Sequence, residues 1–431
     1  MSKEENRKNF SKYVSQNILG MIGFSCYVLA DSYFISIAKG ADGLTALNLV
    51  MPLYSIIFSI GEMIGVGSAI RYAISKIKKD VDADDYFWNA LIWCIMSSMI
   101  FVFAGIFFSA DIMRVLGADE HIVAVGNNYT KIFMCFAPMF MCNYVTNAFV
   151  RNDGAPGIAM SATLFSSLFN IVFDYILMFP MNLGMEGAAL ATALSPIIGM
   201  GICSIHFFSK KSSVRLVVCK PSVRKLVAGS QLGVSAFVGE MSSAVITLAF
   251  NFVILKLAGN VGVAAYGVVA NIAIVTTAVF NGVAQGSQPL ISSCFGRGDR
   301  DGCTQLKRMG YITAFVLAAV MYSILFIFAG QFVAVFNSEG SEMLRLYATE
   351  GVKLYFIGIF FAGINIVGGG AFSATEDAFK AAVVSVARGF VLILGAVFVM
   401  SALFGMTGVW LAYAVAEGIT TFIMLVMVLR V

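Results

Sequence analysis

Twelve apolar stretches, each long enough to cross a bilayer, run through this chain of 431 residues. A helix needs about 20 mostly apolar residues to span the hydrocarbon layer. Within lipid, every backbone N–H and C=O must be satisfied inside the protein, so unbroken runs of this length are read as helices. The stretches lie at about 14–38, 43–72, 86–110, 121–150, 157–180, 185–209, 229–257, 262–292, 308–332, 344–373, 378–403 and 406–430. The composition is 59% hydrophobic and 12% charged, with a mean hydropathy of +0.87. Soluble domains carry about 25% charged residues, so most of this chain is expected to lie in lipid. The expected fold class is an all-α membrane protein with twelve transmembrane helices.

The connections are short except at 210–228, where Lys210, Lys211, Arg215, Lys220, Arg224 and Lys225 cluster around Pro221. That basic linker divides the chain into an N-lobe at 1–209 and a C-lobe at 229–431, with six spans each. With the N-terminus inside, only Lys39, Arg114, Lys131, Lys256, Arg345 and Lys353 of the 28 basic residues fall on the outer side. Basic residues favour the cytoplasmic side, so both termini and the linker are expected there. No cleavable leader is expected, because the polar start Met1–Ser11 runs directly into a full-length span. The halves resemble each other at an offset of about 219–225. Gly184-Met185-Glu186-Gly187-Ala188 recurs as Gly405-Met406-Thr407-Gly408-Val409, Phe101–Gly105 as Phe326–Gly330, and Gly67-Ser68 as Gly286-Ser287. Six spans is an even number, so the two copies are expected to be parallel repeats about an axis along the membrane normal.

Against this background the charged and polar residues within spans are the functional candidates, since an ionised carboxylate at bilayer depth costs roughly 2.5 kcal/mol or more unless paired. Asp31 interrupts the first span and Asp174 the fifth. Asn170 and Asp174 are four apart and share a helical face. Asp174 lies six residues from the outer end of its span, or roughly 9 Å at 1.5 Å per residue. Asp31 and Thr192 lie at similar depth. Brought together, these groups form an oxygen-rich pocket suited to H+ or to a hard cation such as Na+, with backbone carbonyls loosened near Gly187 and Ala188 as further ligands. The alternative is a structural network of buried, hydrogen-bonded groups.

Elsewhere, Glu240 lies near the middle of span seven, and Asn281, Gln285 and Gln288 form a stripe along span eight that ends in Pro289. Polar groups avoid lipid, so this stripe faces either a substrate or water pathway or a neighbouring helix. Asn143 and Asn147 on span four admit the same two readings, cavity or packing. Arg388 and Glu417 lie near mid-membrane on consecutive spans and are candidates for a buried ion pair, with a structural role ahead of a transport role. Glu62, in span two, has no evident partner. Fifteen of the 23 methionines precede residue 210, and Met134, Met139 and Met141 stand among Phe133, Phe136 and Phe140. Soft methionine surfaces repack around varied ligands, although most of these side chains are ordinary packing residues. Prolines 52, 138, 196 and 289 fall within spans and are expected to kink them.

Eight cysteines form neither a CxxC pair nor a Cys/His cluster. His121 and His206 stand near span ends and read as interface anchors. No HExxH, P-loop or GxSxG occurs, so neither hydrolysis nor ATP-driven transport is encoded, and no ATPase subunit or nucleic-acid partner is implied. The chain is expected to be no enzyme and to need no cofactor beyond a coupling ion. From the residues alone it reads as an ion-coupled transporter. A flippase for a lipid or lipid-linked precursor is the alternative and would favour a strongly cationic cavity.

These features resemble the multidrug and toxic compound extrusion (MATE) family of secondary transporters. The residues that carry the resemblance are Ala30-Asp31, Asn170-x-x-x-Asp174, Gly187-Ala188-Ala189-Leu190-Ala191-Thr192, the loop Arg151-Asn152-Asp153-Gly154-Ala155-Pro156, Glu240, and Gln288-Pro289. The likeness covers the whole chain. It implies two six-helix lobes around a V-shaped cleft and H+- or Na+-coupled export of small organic, often cationic, compounds from a prokaryotic plasma membrane, by a monomer. It further implies that Asp31 and Asp174 hold the ion, assisted by Asn170, Thr192 and the Ala188 carbonyl. Glu240 matches a family acid that some members pair with an aspartate in span ten, where this chain has Gly363-Ile364-Asn365.

Overall fold

Each apolar stretch is helical in the computed structural model, which describes residues 3–336 and 341–429. Helix α1 is Lys3–Gly40 and α2 is Asp42–Ile77. They are followed by α3 at Asp85–Val115, by α4 in two pieces (Glu120–Cys135 and Ala137–Asn152), by α5 at Pro156–Met178 and by α6 at Gly184–Phe207. The pieces of α4 meet at 46°, and Pro138 stands in the first turn of the second piece, where a missing N–H costs nothing. In the second half, α7 (223–258) and α8 (260–296) are divided at Gly259. Helix α9 is Arg300–Ile327, continued by the short Ala329–Phe336, and α10 is Glu342–Ala374. Helices α11 (378–404) and α12 (406–429) are divided at Gly405. No strand occurs among the described residues. The polar start is not a separate lead. It is the first turns of α1, and it buries Asn6 and Phe10.

Glycine turns show the repeat at atomic level. Gly40 adopts φ 58°, ψ −142° and Gly259 φ 63°, ψ −157°, at the lower offset expected from the sequence. Gly184 and Gly405, at nearly the same offset, have φ 53° and 58°. Positive φ with strongly negative ψ is essentially glycine-only backbone. At Gly40, Gly259 and Gly405 nothing lies within 4 Å of where a Cβ would stand. The turn demands glycine through its dihedrals, and space plays no part.

The same internal symmetry sets how the lobes touch. A Cβ added at Gly67 on α2 would stand 2.1 Å from the Gly229 carbonyl oxygen on α7, and one at Gly233 would stand 2.0 Å from the Met63 oxygen. The repeat-related Gly286 on α8 packs on α1, where a Cβ would meet Val14 Cα at 2.7 Å, and Gly282 approaches Ile18 Cα at 2.6 Å. Small residues let helix backbones come this close. These contacts lie in the half of the molecule that carries the N-terminal turns and the 208–222 segment, here called the basic end. At that end Arg71 pairs with Glu376 across the lobes, Lys78 reaches Glu376 at 3.5 Å, and Asn6 Nδ2 donates to Gln305 Oε1 at 3.2 Å. The lobes are closed against each other there. The 208–222 segment is fastened by Asp153, whose Oδ2 is 2.8 Å from His206 Nε2 and accepts from the Ser213 backbone N–H at 2.9 Å.

Filling one of these contacts should pry the lobes apart. In a cysteine-free background carrying Asn6→Cys and Gln305→Cys, the added substitution Gly67→Leu is expected to reduce disulfide cross-linking sharply. Cross-linking equal to that of the Gly67 parent would show that closure does not need this approach.

The apolar residues divide between packing and lipid. Phe133 stacks on Tyr54 with ring centroids 3.6 Å apart inside the N-lobe, and Tyr355 stacks on Tyr413 at 4.3 Å inside the C-lobe. On α3, by contrast, Ile100, Phe103 and Phe107 face outward, as a helix at the lipid boundary requires.

Candidate functional site

The N-lobe polar groups come from three helices. Gly187 in the first turn of α6 lets that helix press against α5, where a Cβ would meet Leu177 C at 2.8 Å and Met178 N at 2.9 Å. This approach sets Thr192 beside Asn170, with Thr192 Oγ1 3.1 Å from the Asn170 amide. With its nitrogen turned toward Asp174, Asn170 donates to Asp174 Oδ2 at 3.0 Å and accepts from the Thr192 hydroxyl at 3.1 Å and its N–H at 3.2 Å. That orientation gives both the nitrogen and the oxygen of the amide a partner, which is the basis on which an amide is assigned. Asp174 is fully buried, Asp31 is 7% exposed, and the two are close enough to interact electrostatically. Asp31 Oδ1 and Asp174 Oδ1 are buried with no hydrogen-bond partner. The sequence reading expects loosened backbone carbonyls near Gly187 and Ala188, and the structure does not have them. Both residues lie inside the unbroken helix α6 and are buried, so the Ala188 carbonyl is not freed there by a break. Among the described residues no group of three or more His, Cys, Asp and Glu is gathered for a metal.

Three tyrosines border this pocket and carried no signal in the sequence beyond their depth. Tyr27 lies within electrostatic reach of Asp31, Asp174 and Glu240. Tyr54 and Tyr129, whose hydroxyls are hydrogen-bonded to each other, are within reach of Asp31.

A second polar group spans the lobes. Gln285 of α8 accepts from Arg151 Nη1 of α4 at 2.6 Å and donates to Glu62 Oε1 of α2 at 3.3 Å. Glu62, which has no evident partner in the sequence, therefore has one in the other lobe. Glu240 on α7 lies within electrostatic reach of Glu62, and Tyr144 within reach of both. Glu240 and Asn281 form no hydrogen bond with other described residues, both being half-buried. Gln288 is 5% exposed, and its Oε1 has no partner. Asn143 Oδ1 is likewise unpaired. Asn147 instead spends its amide on packing, donating to the Ala159 carbonyl at 3.1 Å and to Thr163 Oγ1 at 3.2 Å on α5. Met139 is exposed. Arg151 was missed as a member of this group, because its place at the end of a span reads as an ordinary inner-end cation.

The C-lobe holds a charged cluster of another kind. Arg388 Nη2 donates to Glu417 Oε1 at 2.7 Å and Arg388 Nε to the same oxygen at 3.0 Å. Asn365, at the span-ten position where an acid is absent, donates to Glu417 Oε2 at 2.7 Å and accepts from Thr421 at 3.0 Å. Arg388 lies in a π-helical turn, Ala387–Val391, a local widening that often accompanies specialised sites.

Comparison with known proteins places this arrangement in context. The MatE family profile matches residues 17–176 and 236–399. The chain is 27% identical over 414 residues to the multidrug export protein MepA of Staphylococcus aureus (strain MRSA252), covering 93% of this chain and 89% of the relative. It is 26% identical over 410 residues to MepA of Staphylococcus saprophyticus, with the same coverage. Among solved structures, a multidrug resistance MATE family transporter of the MOP superfamily in an outward-facing conformation superposes with a TM-score of 0.92 at 20% identity, covering 99% of this chain and 96% of that one. A MOP superfamily transporter from Pyrococcus furiosus superposes with a TM-score of 0.90 at 20% identity, covering 98% and 95%.

Proposed function

This chain belongs to the MatE family, and on that premise we propose that it is a multidrug efflux antiporter, exporting cationic or amphiphilic organic compounds in exchange for H+ or Na+ by alternating access. The observation that carries this reading is the pair of buried carboxylate oxygens, Asp31 Oδ1 and Asp174 Oδ1, that have no partner. A buried acceptor left unsatisfied costs about 1–3 kcal/mol, and more when charged. A proton or a small cation supplies what is missing, and the oxygens of Asn170 and Thr192 suit Na+ as additional ligands.

The cycle follows from the two faces. The basic end is the cytoplasmic one by the charge bias, so the closed form opens away from the cytoplasm. Loading of the coupling ion between Asp31 and Asp174 offsets one of their two negative charges, lets the remaining charge be shared across the pair, and repacks α1 against α5 and α6, which favours release of the exported compound. Return to the form open at the basic end frees the ion and admits the next compound. A lipid flippase is less well supported, because the lobes face each other here with carboxylates at Glu62 and Glu240. The working unit is a monomer, and the energy is drawn from an ion gradient.

The test is transport in proteoliposomes, with pH and Na+ gradients imposed separately against a panel of cationic dyes. Dye accumulation driven by at least one gradient is expected. Dye movement indifferent to both gradients would overturn the antiport mechanism.

A further inference from the structure

Arg151 is 4% exposed, has no carboxylate within ion-pairing distance among the described residues, and leaves its Nε without a partner. A buried guanidinium without a counter-charge destabilises a fold, so packing gives no reason for it. Its Nη1 is 3.5 Å from Asn17 Oδ1 and 2.6 Å from Gln285 Oε1. Glu62, the acid that acts on it electrostatically, is joined to it by hydrogen bonds through the Gln285 amide. That amide is oriented with its oxygen to the cation and its nitrogen to the carboxylate, so it passes the field of Arg151 on to Glu62.

Arg151 and Glu62 belong to one lobe and Gln285 to the other. The relay therefore exists only while the lobes are closed at the basic end, as Gly67 and Gly286 hold them here. Parting the lobes at that end withdraws Gln285 from both groups at once. Glu62 then becomes a carboxylate without its donor, facing the opened cleft beside Tyr144, whose backbone lies against α2 at Gly65. A carboxylate next to an aromatic ring in a poorly hydrated cleft is the surrounding that attracts an organic cation.

We propose that Glu62 is the residue that loads the positively charged group of the exported compound from the basic side, and that Arg151, acting through Gln285, unloads it when the lobes close. On closure the amide takes back the carboxylate and the buried guanidinium opposes the substrate's charge. The compound is displaced toward Glu240 on the other lobe. The assignment rests on the exporter reading above and adds to it a charge-reading residue and a displacing pair.

The test is equilibrium binding of rhodamine 6G, a permanent organic cation, to the full-length protein in detergent by fluorescence polarisation. Nile red serves as an uncharged companion. Glu62→Gln keeps an oxygen to accept from Gln285, so the relay geometry survives. It is expected to weaken rhodamine 6G about tenfold, equivalent to 1.4 kcal/mol, and to leave Nile red unchanged, while Glu62→Asp retains most of the affinity. Gln285→Ala, which removes the displacing group, is expected to bind rhodamine 6G more tightly and to turn over more slowly in proteoliposomes. Wild-type affinity in Glu62→Gln overturns the loading role, and so does equal loss of both dyes, which would mean a general disturbance. Weaker binding in Gln285→Ala overturns the unloading role. In either case wild-type gradient-driven transport would leave the exporter reading standing. A wild-type protein that neither binds nor moves rhodamine 6G removes both.

Discussion

Asp174→Asn is expected to abolish gradient-driven accumulation of a cationic dye while leaving a folded protein in the membrane. The substitution preserves shape and an oxygen able to accept from Asn170, which now donates to Oδ2 at 3.0 Å. What it removes is the charge, together with the oxygen that has no partner. An ionised carboxylate at this depth costs roughly 2.5 kcal/mol or more, so an amide there should hold or raise the melting temperature. Coupling should be lost because the protein can no longer bind a proton or cation in one state and give it up in the other. Asp31→Asn should behave in the same way, as the two acids act on one another electrostatically. Accumulation in proteoliposomes under an imposed gradient is the measurement, with dye counterflow without a gradient as the control for a working pathway. Wild-type accumulation by both variants would remove these carboxylates from the coupling mechanism.

Arg388→Met should cost more stability than any other change considered. The guanidinium makes two hydrogen bonds to Glu417 Oε1, at 2.7 and 3.0 Å, and Glu417 is 2% exposed. Removing one partner of a buried pair typically costs about 3–5 kcal/mol, since the survivor keeps its charge without compensation. Glu417 would retain only the Asn365 amide at 2.7 Å. The double variant Arg388→Met with Glu417→Gln should recover part of the loss, because a neutral amide needs no counter-ion. Thermal unfolding of the purified protein, read by loss of the monodisperse peak on heating, distinguishes these outcomes. A single variant that melts with the wild type would show that the pair contributes nothing to stability.

The two charged clusters sit in opposite lobes and differ in a way that matters. In the C-lobe the cation is tethered, so Glu417 is permanently matched. In the N-lobe no side-chain cation stands against Asp31 and Asp174 among the described residues, and two oxygens are left open. The structure thus holds a paired acid, Glu417, in the C-lobe and two unpartnered carboxylate oxygens in the N-lobe. The glycine turns of the two lobes are nonetheless nearly the same, at Gly40 and Gly259 and at Gly184 and Gly405.

Much of this was legible in the chain because it depends on local quantities. Helix number follows from span length and rise per residue, which neighbouring helices do not alter. The Gly67 and Gly286 repeat was visible as a pattern, although its use as the contact between lobes was not. Glu62 shows the limit of such reading. Its partner lies 223 positions away, and Arg151 lies 134 positions from the glutamine that joins them. No periodicity links such residues. Asn147 shows the reverse case, a polar residue in a span whose amide bonds to α5.

The amino-acid order alone determined that the molecule is a doubled six-helix membrane bundle with acids buried in its first half, because hydropathy acts on each segment separately. Which polar groups meet, and that a glutamine of one lobe stands between an arginine and a glutamate of the other, was decided only by the packing of the lobes. The backbone approaches at Gly67, Gly233 and Gly286 set that distance, and hydrogen bonds form only where it allows.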